Sequence, residues 1–278
     1  MIDMVILKVF NNNSVAAISN SGSDIILVGS GIGFHKKVGD QVDESKIERT
    51  YVFQDDQKTR FEKSLEKIPT VYFEIAEYIV SNASKKLHTE FSGEIFLAIS
   101  DHISFAIKRK LEGIYLPNVL LNETKTLYKE EYAIGKWALY YIYKRTKVKL
   151  DEDEAGYIAL HLVNFSLNAD SHYTVKVLSL TKEVLEIIQK TMKITLDQDS
   201  FAYSRISTHL KYLGERVFKN NPIELKDTTS DIRTFFEDDV RMTLCMNRIV
   251  NHVRDKYGYI LSPNEQTYLY LHIKRNLE

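Results

Sequence analysis

Four histidines invite a chemical reading because their surroundings recur. Setting His102 on His209 lays Ile99-Ser100-x-His102-Ile103-x-Phe105 over Ile206-Ser207-x-His209-Leu210-x-Tyr212, and Arg109 over Arg216. Setting His161 on His272 pairs Leu150 with Leu261, Glu154 with Glu265, Tyr157 with Tyr268 and Leu160 with Leu271. The two offsets nearly agree, at 107 and 111, and the histidines of each copy lie 59 and 63 positions apart. His35, His88, His172 and His252 have no counterpart at these offsets. Recurrence at one near-constant period indicates a duplicated unit of about 105 residues.

Four roles suit such residues. Buried, hydrogen-bonded histidines of a core are the plainest, and common ancestry alone would preserve them. A metal site lacks support, since no HxxxH or HExxH pair occurs and Cys245 is the single cysteine. Acid–base catalysis would call for a nucleophile or phosphate-loop signature, and neither GxSxG nor a Walker motif occurs. Phosphoryl acceptance needs only a neutral imidazole with a free lone pair, and it places close to two negative charges at one point. The residues alone leave core packing and phosphoryl acceptance open.

The elements that carry these histidines are helices. Ser262-Pro263-Asn264-Glu265 supplies a capping serine, Pro at the first helical position and Glu at the third. Asp151-Glu152-Asp153-Glu154 offers the same cap and the same Glu. His161 and His272 each fall ten residues beyond that cap, so equivalent faces and depths are expected.

Up to Gln54 the chain follows another pattern. Val5 to Phe10, Ser14 to Ser19, Ile25 to Val28 and Ile47 to Phe53 read as four strands, separated by Asn- and Gly-rich turns. Asn20-Ser21-Gly22-Ser23-Asp24 reads as a hairpin loop. From Gln57 onward the period becomes helical, with Phe61, Leu65 and Ile68 as one stripe and Tyr72 to Val80 continuing it after Pro69. The fold class expected is multidomain α+β: a small four-stranded antiparallel sheet followed by two homologous all-α helical bundles. The boundaries expected are 1–56 for the sheet domain, 57–68 for a linker and helix entry, 69–170 for the first bundle and 171–278 for the second.

Composition bounds the function. Lys and Arg number 37 against 38 Asp and Glu, so no globally basic nucleic-acid binder is announced. One cysteine excludes a disulfide framework. No uninterrupted apolar run is long enough to span a bilayer, and the N-terminus does not read as a signal peptide. A cytoplasmic protein without membrane insertion is therefore expected.

At motif level the chain resembles the BglG/SacY family of transcriptional antiterminators, particularly its LicT-like members. Its head is similar to the family's co-antiterminator RNA-binding domain through Lys8-Val9-Phe10-Asn11-Asn12-Asn13, Gly29-Ser30-Gly31-Ile32-Gly33-Phe34-x-Lys36-Lys37 and Val42-Asp43-x-x-Lys46-Ile47-Glu48. Its repeats resemble the paired regulation domains of the sugar phosphotransferase system (PTS) through Ser100-Asp101-His102, Asp153 to His161 and Thr208-His209-Leu210. The resemblance implies a homodimer that clamps an mRNA hairpin and prevents an overlapping terminator from forming, with no cofactor and no enzymatic activity. It implies RNA contact at Lys8, Asn13, Gly29, Ser30 and Phe34. It implies phosphorylation of His102 and His161 by a sugar-specific enzyme II, which inactivates, and of His209 and His272 by HPr, which activates. Asp101 is expected to support His102. Residues 1–54 hold five Lys or Arg against six Asp or Glu, so RNA binding must lean on shape and a few local contacts. A DNA-binding activator with the same regulation domains is the alternative; it would require a helix-turn-helix where the strands lie.

Overall fold

The computed structural model describes residues 4–19, 22–52, 68–167, 173–220 and 239–277. Part of the expected hairpin loop (Asn20-Ser21), most of the 57–68 entry segment and the stripe residues Phe61 and Leu65 lie outside them.

Four strands, β1 (Val5–Asn11), β2 (Ser14–Ile18), β3 (Asp24–Val28) and β4 (Arg49–Val52), form one antiparallel sheet in chain order. Alternation gives the sheet two apolar faces. Ile6, Val15, Ala17, Ile25 and Leu27 close one face against Ile32, Val42 and Ile47 of the long β3–β4 connection. Phe10, Ala16 and Ile26 point to the opposite face and join the core of the first helical bundle. A bulge in β1 between Ile6 and Lys8 sets two residues against one and turns Lys8 to that second face.

Nine helices follow among the described residues: α1 (Thr70–Leu87), α2 (Glu94–Leu111), α3 (Leu121–Leu127), α4 (Lys129–Thr146), α5 (Asp153–Asn164), α6 (Thr174–Met192), α7 (Phe201–Lys219), α8 (Val240–Tyr257) and α9 (Pro263–Leu277). The chain divides into two compact units, 1–118 with 130–171 and 119–129 with 172–278. In the first unit, α1, α2, α4 and α5 bury Phe73, Ile79, Phe96, Ile103, Ile142 and Leu162 together. The sheet is anchored onto this bundle by Phe10 stacked on Phe73 at 4.7 Å and Tyr51 edge-on to Phe96 at 4.3 Å, each worth about 0.5–1.5 kcal/mol beyond area burial. In the second unit, α6 to α9 enclose Leu185, Ile206, Leu210, Ile249 and Ile273.

Helix α3 departs from the simple duplication. It falls between α2 and α4 in sequence, yet its segment belongs with the second unit and packs on α7 and α6. There Glu123, 5% exposed, accepts a hydrogen bond from Tyr203 Oη at 3.3 Å. Burial raises the Glu123 carboxyl above its ordinary value, offset in part by the Tyr203 bond and the charge of Lys182. No helix of the described residues is long and apolar enough to cross a membrane.

Candidate functional site

The duplicated histidines meet within each unit. In the first, α2 carries His102 and, two turns on, Arg109, while α5 carries Glu154, Tyr157 and His161 on one face at spacings of three and seven. The helices run antiparallel, so His102 meets His161 (ring centroids 5.2 Å apart) and Arg109 meets Glu154. Arg109 Nη2 donates to Glu154 Oε1 at 2.9 Å, and Glu154 Oε2 lies 2.8 Å from His102 Nε2. Burial alone would raise the Glu154 carboxyl, but His102 and Arg109 beside it hold it below its ordinary value.

The second unit repeats the frame with different partners. Helices α7 and α9 bring His209 and His272 into a stack 3.4 Å between centroids, and Arg216 Nε donates to Glu265 Oε1 at 3.3 Å. Glu265 also accepts from Tyr259 Oη (2.9 Å), Ser262 N (2.9 Å) and Ser262 Oγ (3.0 Å), while its own N–H donates to Ser262 Oγ. The expected capping box is therefore formed here. Tyr268 Oη lies 3.3 Å from His209 Nδ1.

Two expectations are corrected. Asp151 does not cap α5 with its side chain: the helix has no side-chain cap bond, and the Asp151 carboxylate is taken by Lys110 at 2.8 and 2.9 Å. Asp101 forms no hydrogen bond or ion pair among the described residues; the carboxylate at His102 is that of Glu154. The next residue along a helix points about 100° away, whereas α5 faces His102 directly. The duplication pairs Arg109 with Arg216 and Glu154 with Glu265, but it does not disclose that each Arg holds each Glu.

Burial shapes the proton chemistry. His161 is held down to about 4, first by desolvation and then by the charge of His102. His272 is also held at about 4, by desolvation, then His209, Arg205 and Arg275. Desolvation and then Arg205 lower His209 as well. Both second-helix imidazoles thus stay neutral at pH 7, the state in which a ring nitrogen keeps its lone pair. One consequence is measurable. Between about pH 6.5 and pH 4 the unfolded chain protonates position 161 while the folded chain does not, so stability falls as pH drops through that window. The loss from this group amounts to roughly 2–3 kcal/mol. The urea midpoint of the full chain should fall between pH 7 and pH 5, and His161→Gln should flatten that fall; an unchanged slope would contradict it.

On the sheet, the β1–β2 turn and the start of the β3–β4 connection lock together. Gly29 N donates to Asn13 O, Gly31 N to Asn13 Oδ1, Gly33 N to Asn12 O and Ser30 N to Glu48 Oε1. A Cβ on Gly29 would sit 1.6 Å from Lys46 O, so only glycine fits. The loop continues to Phe34, which is 53% exposed with its ring 4.0 Å from that of His35. Asn13, Ser30 and Phe34 are thus exposed on this locked loop, with Gly29 buried beneath them against the Lys46 backbone. Phe34 is no core aromatic, and His35 beside it was not anticipated. Lys8 stands apart: its Nζ lies 5.5 Å from the Phe73 ring on the face packed against α1.

Comparison with known proteins agrees with these modules. The family described as CAT RNA binding domain matches residues 4–60, and the family described as PRD domain matches residues 77–165 and 182–276. The chain is 37% identical to the transcription antiterminator LicT of Bacillus subtilis, over 98% of each chain. It is 32% identical to the β-glucoside operon antiterminator of Dickeya chrysanthemi, over 98% of this chain and 96% of that one. A crystal structure of GlcT CAT-PRDI superposes with a TM-score of 0.51 at 32% identity, covering 60% of this chain and 99% of that one. A sheet module that locks a turn surface, followed by two helical domains that each join a pair of duplicated histidines, places the chain in the BglG/SacY family of transcriptional antiterminators.

Proposed function

We propose that this protein is a transcriptional antiterminator of a sugar-utilisation operon, a regulator rather than a catalyst. The sheet domain (1–56) binds an mRNA hairpin as a homodimer and keeps an overlapping terminator from forming. The bundles, 69–170 and 171–278, are phosphorylated in the cytoplasm, the first at His102 and His161 by a sugar-specific PTS enzyme II and the second at His209 and His272 by HPr. The observation that carries the reading is the ring contact within each histidine pair, made by residues 59 and 63 positions apart. A dianionic phosphoryl group placed between two packed helices perturbs that packing strongly, which is what a switch requires.

The RNA surface is the loop Asn13–Gly29–Ser30–Phe34. Its exposed ring suits an unpaired base and its close backbone approach suits a phosphate. The strand order leaves no helix-turn-helix among the described residues of the head, which favours RNA over duplex DNA.

The test is a transcription read-through assay with the full chain, its operon leader and HPr. His209→Ala with His272→Ala should abolish HPr-dependent antitermination; undiminished read-through would overturn the regulatory reading. A gel shift separates the output: Phe34→Ala should weaken hairpin binding by about five- to 150-fold, the loss of one stacked base at about 1–3 kcal/mol. Its thermal midpoint should not change, since the ring leaves no cavity. Unaltered RNA affinity would remove Phe34 from the interface.

A further inference from the structure

The two bundles differ most at the carboxylate between their helices, and the difference reaches a ring nitrogen. Glu265 spends its second oxygen on the Ser262 cap and shares its first between Arg216 and Tyr259. In the first bundle the matching positions are Asp151 and Val148. Valine offers no hydroxyl, and the Asp151 carboxylate has no proton to donate and is held by Lys110. Glu154 Oε2 is thereby released and comes to 2.8 Å from His102 Nε2; both atoms are buried, and the approach is an ion-pair contact without hydrogen-bond geometry. In the second bundle the engaged nitrogen is the other one. His209 Nδ1 meets Tyr268 Oη, and His272 Nδ1 is buried without a hydrogen-bond partner. Tyr157, the counterpart of Tyr268, donates instead to Pro117 O.

We infer that the bundles accept the phosphoryl group on opposite ring nitrogens, His102 on Nδ1 and the second-bundle histidines on Nε2, with Glu154 as the positioning residue that sets the first. The inference rests on the proposed phosphorylation of these histidines. Only the neutral ring can accept the phosphoryl group, and a lone pair facing a carboxylate at 2.8 Å would be repelled, so in that form of His102 the proton resides on Nε2 and the lone pair on Nδ1. That lone pair attacks the phosphorus of a donor phosphohistidine whose other ring nitrogen carries a proton. The donor N–P bond breaks and its electron pair returns to the donor imidazole, while the new N–P bond forms at Nδ1. No proton enters or leaves. His102 becomes an imidazolium whose Nε2–H faces the Glu154 carboxylate, which stabilises the product charge. In the second bundle His209 Nδ1 is engaged with Tyr268 Oη and His272 Nδ1 is buried, so transfer there uses the tautomer with its proton on Nδ1 and its lone pair on Nε2; a neutral oxygen replaces the carboxylate. Donors that approach the two bundles therefore meet differently aimed lone pairs.

The experiment uses full chains labelled with 15N-histidine and retaining either His102 alone or the His209–His272 pair among the four, the others replaced by Ala. Phosphorylated enzyme II domain and phosphorylated HPr serve as donors. Nitrogen–phosphorus coupling identifies the substituted nitrogen. Phosphate on Nδ1 of His102 and on Nε2 in the second bundle supports the inference. Phosphate on Nε2 of His102 overturns it while leaving histidine phosphorylation intact, whereas no phosphate on any histidine overturns the proposed function with it. Glu154→Gln should slow transfer to His102 about tenfold. Because that change also touches Arg109, Asp151→Ser provides a second arm: a serine hydroxyl draws Glu154 away, and part of the phosphate should move to Nε2. An unchanged isomer in Asp151→Ser would remove Glu154 from the role.

Discussion

Replacing Glu265 with Ala is expected to destabilise the second bundle by about 3–5 kcal/mol, the largest single effect of any side chain at the histidine sites. The Glu265 side chain is fully buried. It neutralises Arg216, accepts from Tyr259 Oη and closes the cap of α9 through Ser262. Its loss strands a largely buried guanidinium and a buried phenol, and leaves the first turn of α9 without its reciprocal cap. Glu265→Gln keeps most of the acceptor geometry and should cost clearly less. Because Arg216 and Glu265 act on one another, the double variant Arg216→Ala with Glu265→Ala should lose less than the two single losses together. Urea unfolding of the four proteins measures this; strict additivity would mean that the pair is not coupled.

Gly29→Ala should be the most damaging change in the sheet domain, at about 3 kcal/mol or more. The new Cβ would meet a backbone carbonyl, Lys46 O, at 1.6 Å, and a backbone atom cannot rotate aside as a side chain can. To relieve the clash, the β3–β4 connection must separate from β3, which breaks the bond from Glu48 N to Val28 O and displaces Glu48 from Ser30. RNA binding should be lost with the fold of the loop. Ser30→Ala is the control: its backbone N–H still donates to Glu48, so the midpoint should stay within about 0.5 kcal/mol of the parent. Equal melting of Gly29→Ala and Ser30→Ala would show that the connection yields without cost.

The four strands, the helical run and the duplicated histidines were all legible in the sequence because each follows a period: the two of a strand, the 3.6 of a helix, or the long period of the duplication. What escaped depends on contacts between residues far apart. Lys8 reads as a free cation beside the Asn turn, but a one-residue bulge reverses its side and lays it over Phe73. Asp151 has the right type and place for a helix cap, and only the arrival of Lys110, from the preceding histidine-bearing helix, takes it away. With no donor at Asp151 or Val148, Glu154 comes to His102, a contact that no local pattern encodes. Helix α3, barely two turns long, carries too short a pattern to disclose which core it joins.

The placement of α3 has a consequence for how this protein can be divided. Since 119–129 is grouped with 172–278, the backbone passes from one unit to the other three times, at 118–119, 129–130 and 171–172. Neither unit is a contiguous stretch of chain. A piece ending at Ser171 would carry Leu120, Glu123 and Thr124 into water without the surface that buries them, and a piece beginning at His172 would leave the Tyr203 hydroxyl without its carboxylate. The duplicated bundles are therefore spliced rather than strung: a single cut at 171–172 separates the histidine pairs but leaves Glu123 on one piece and Tyr203 on the other.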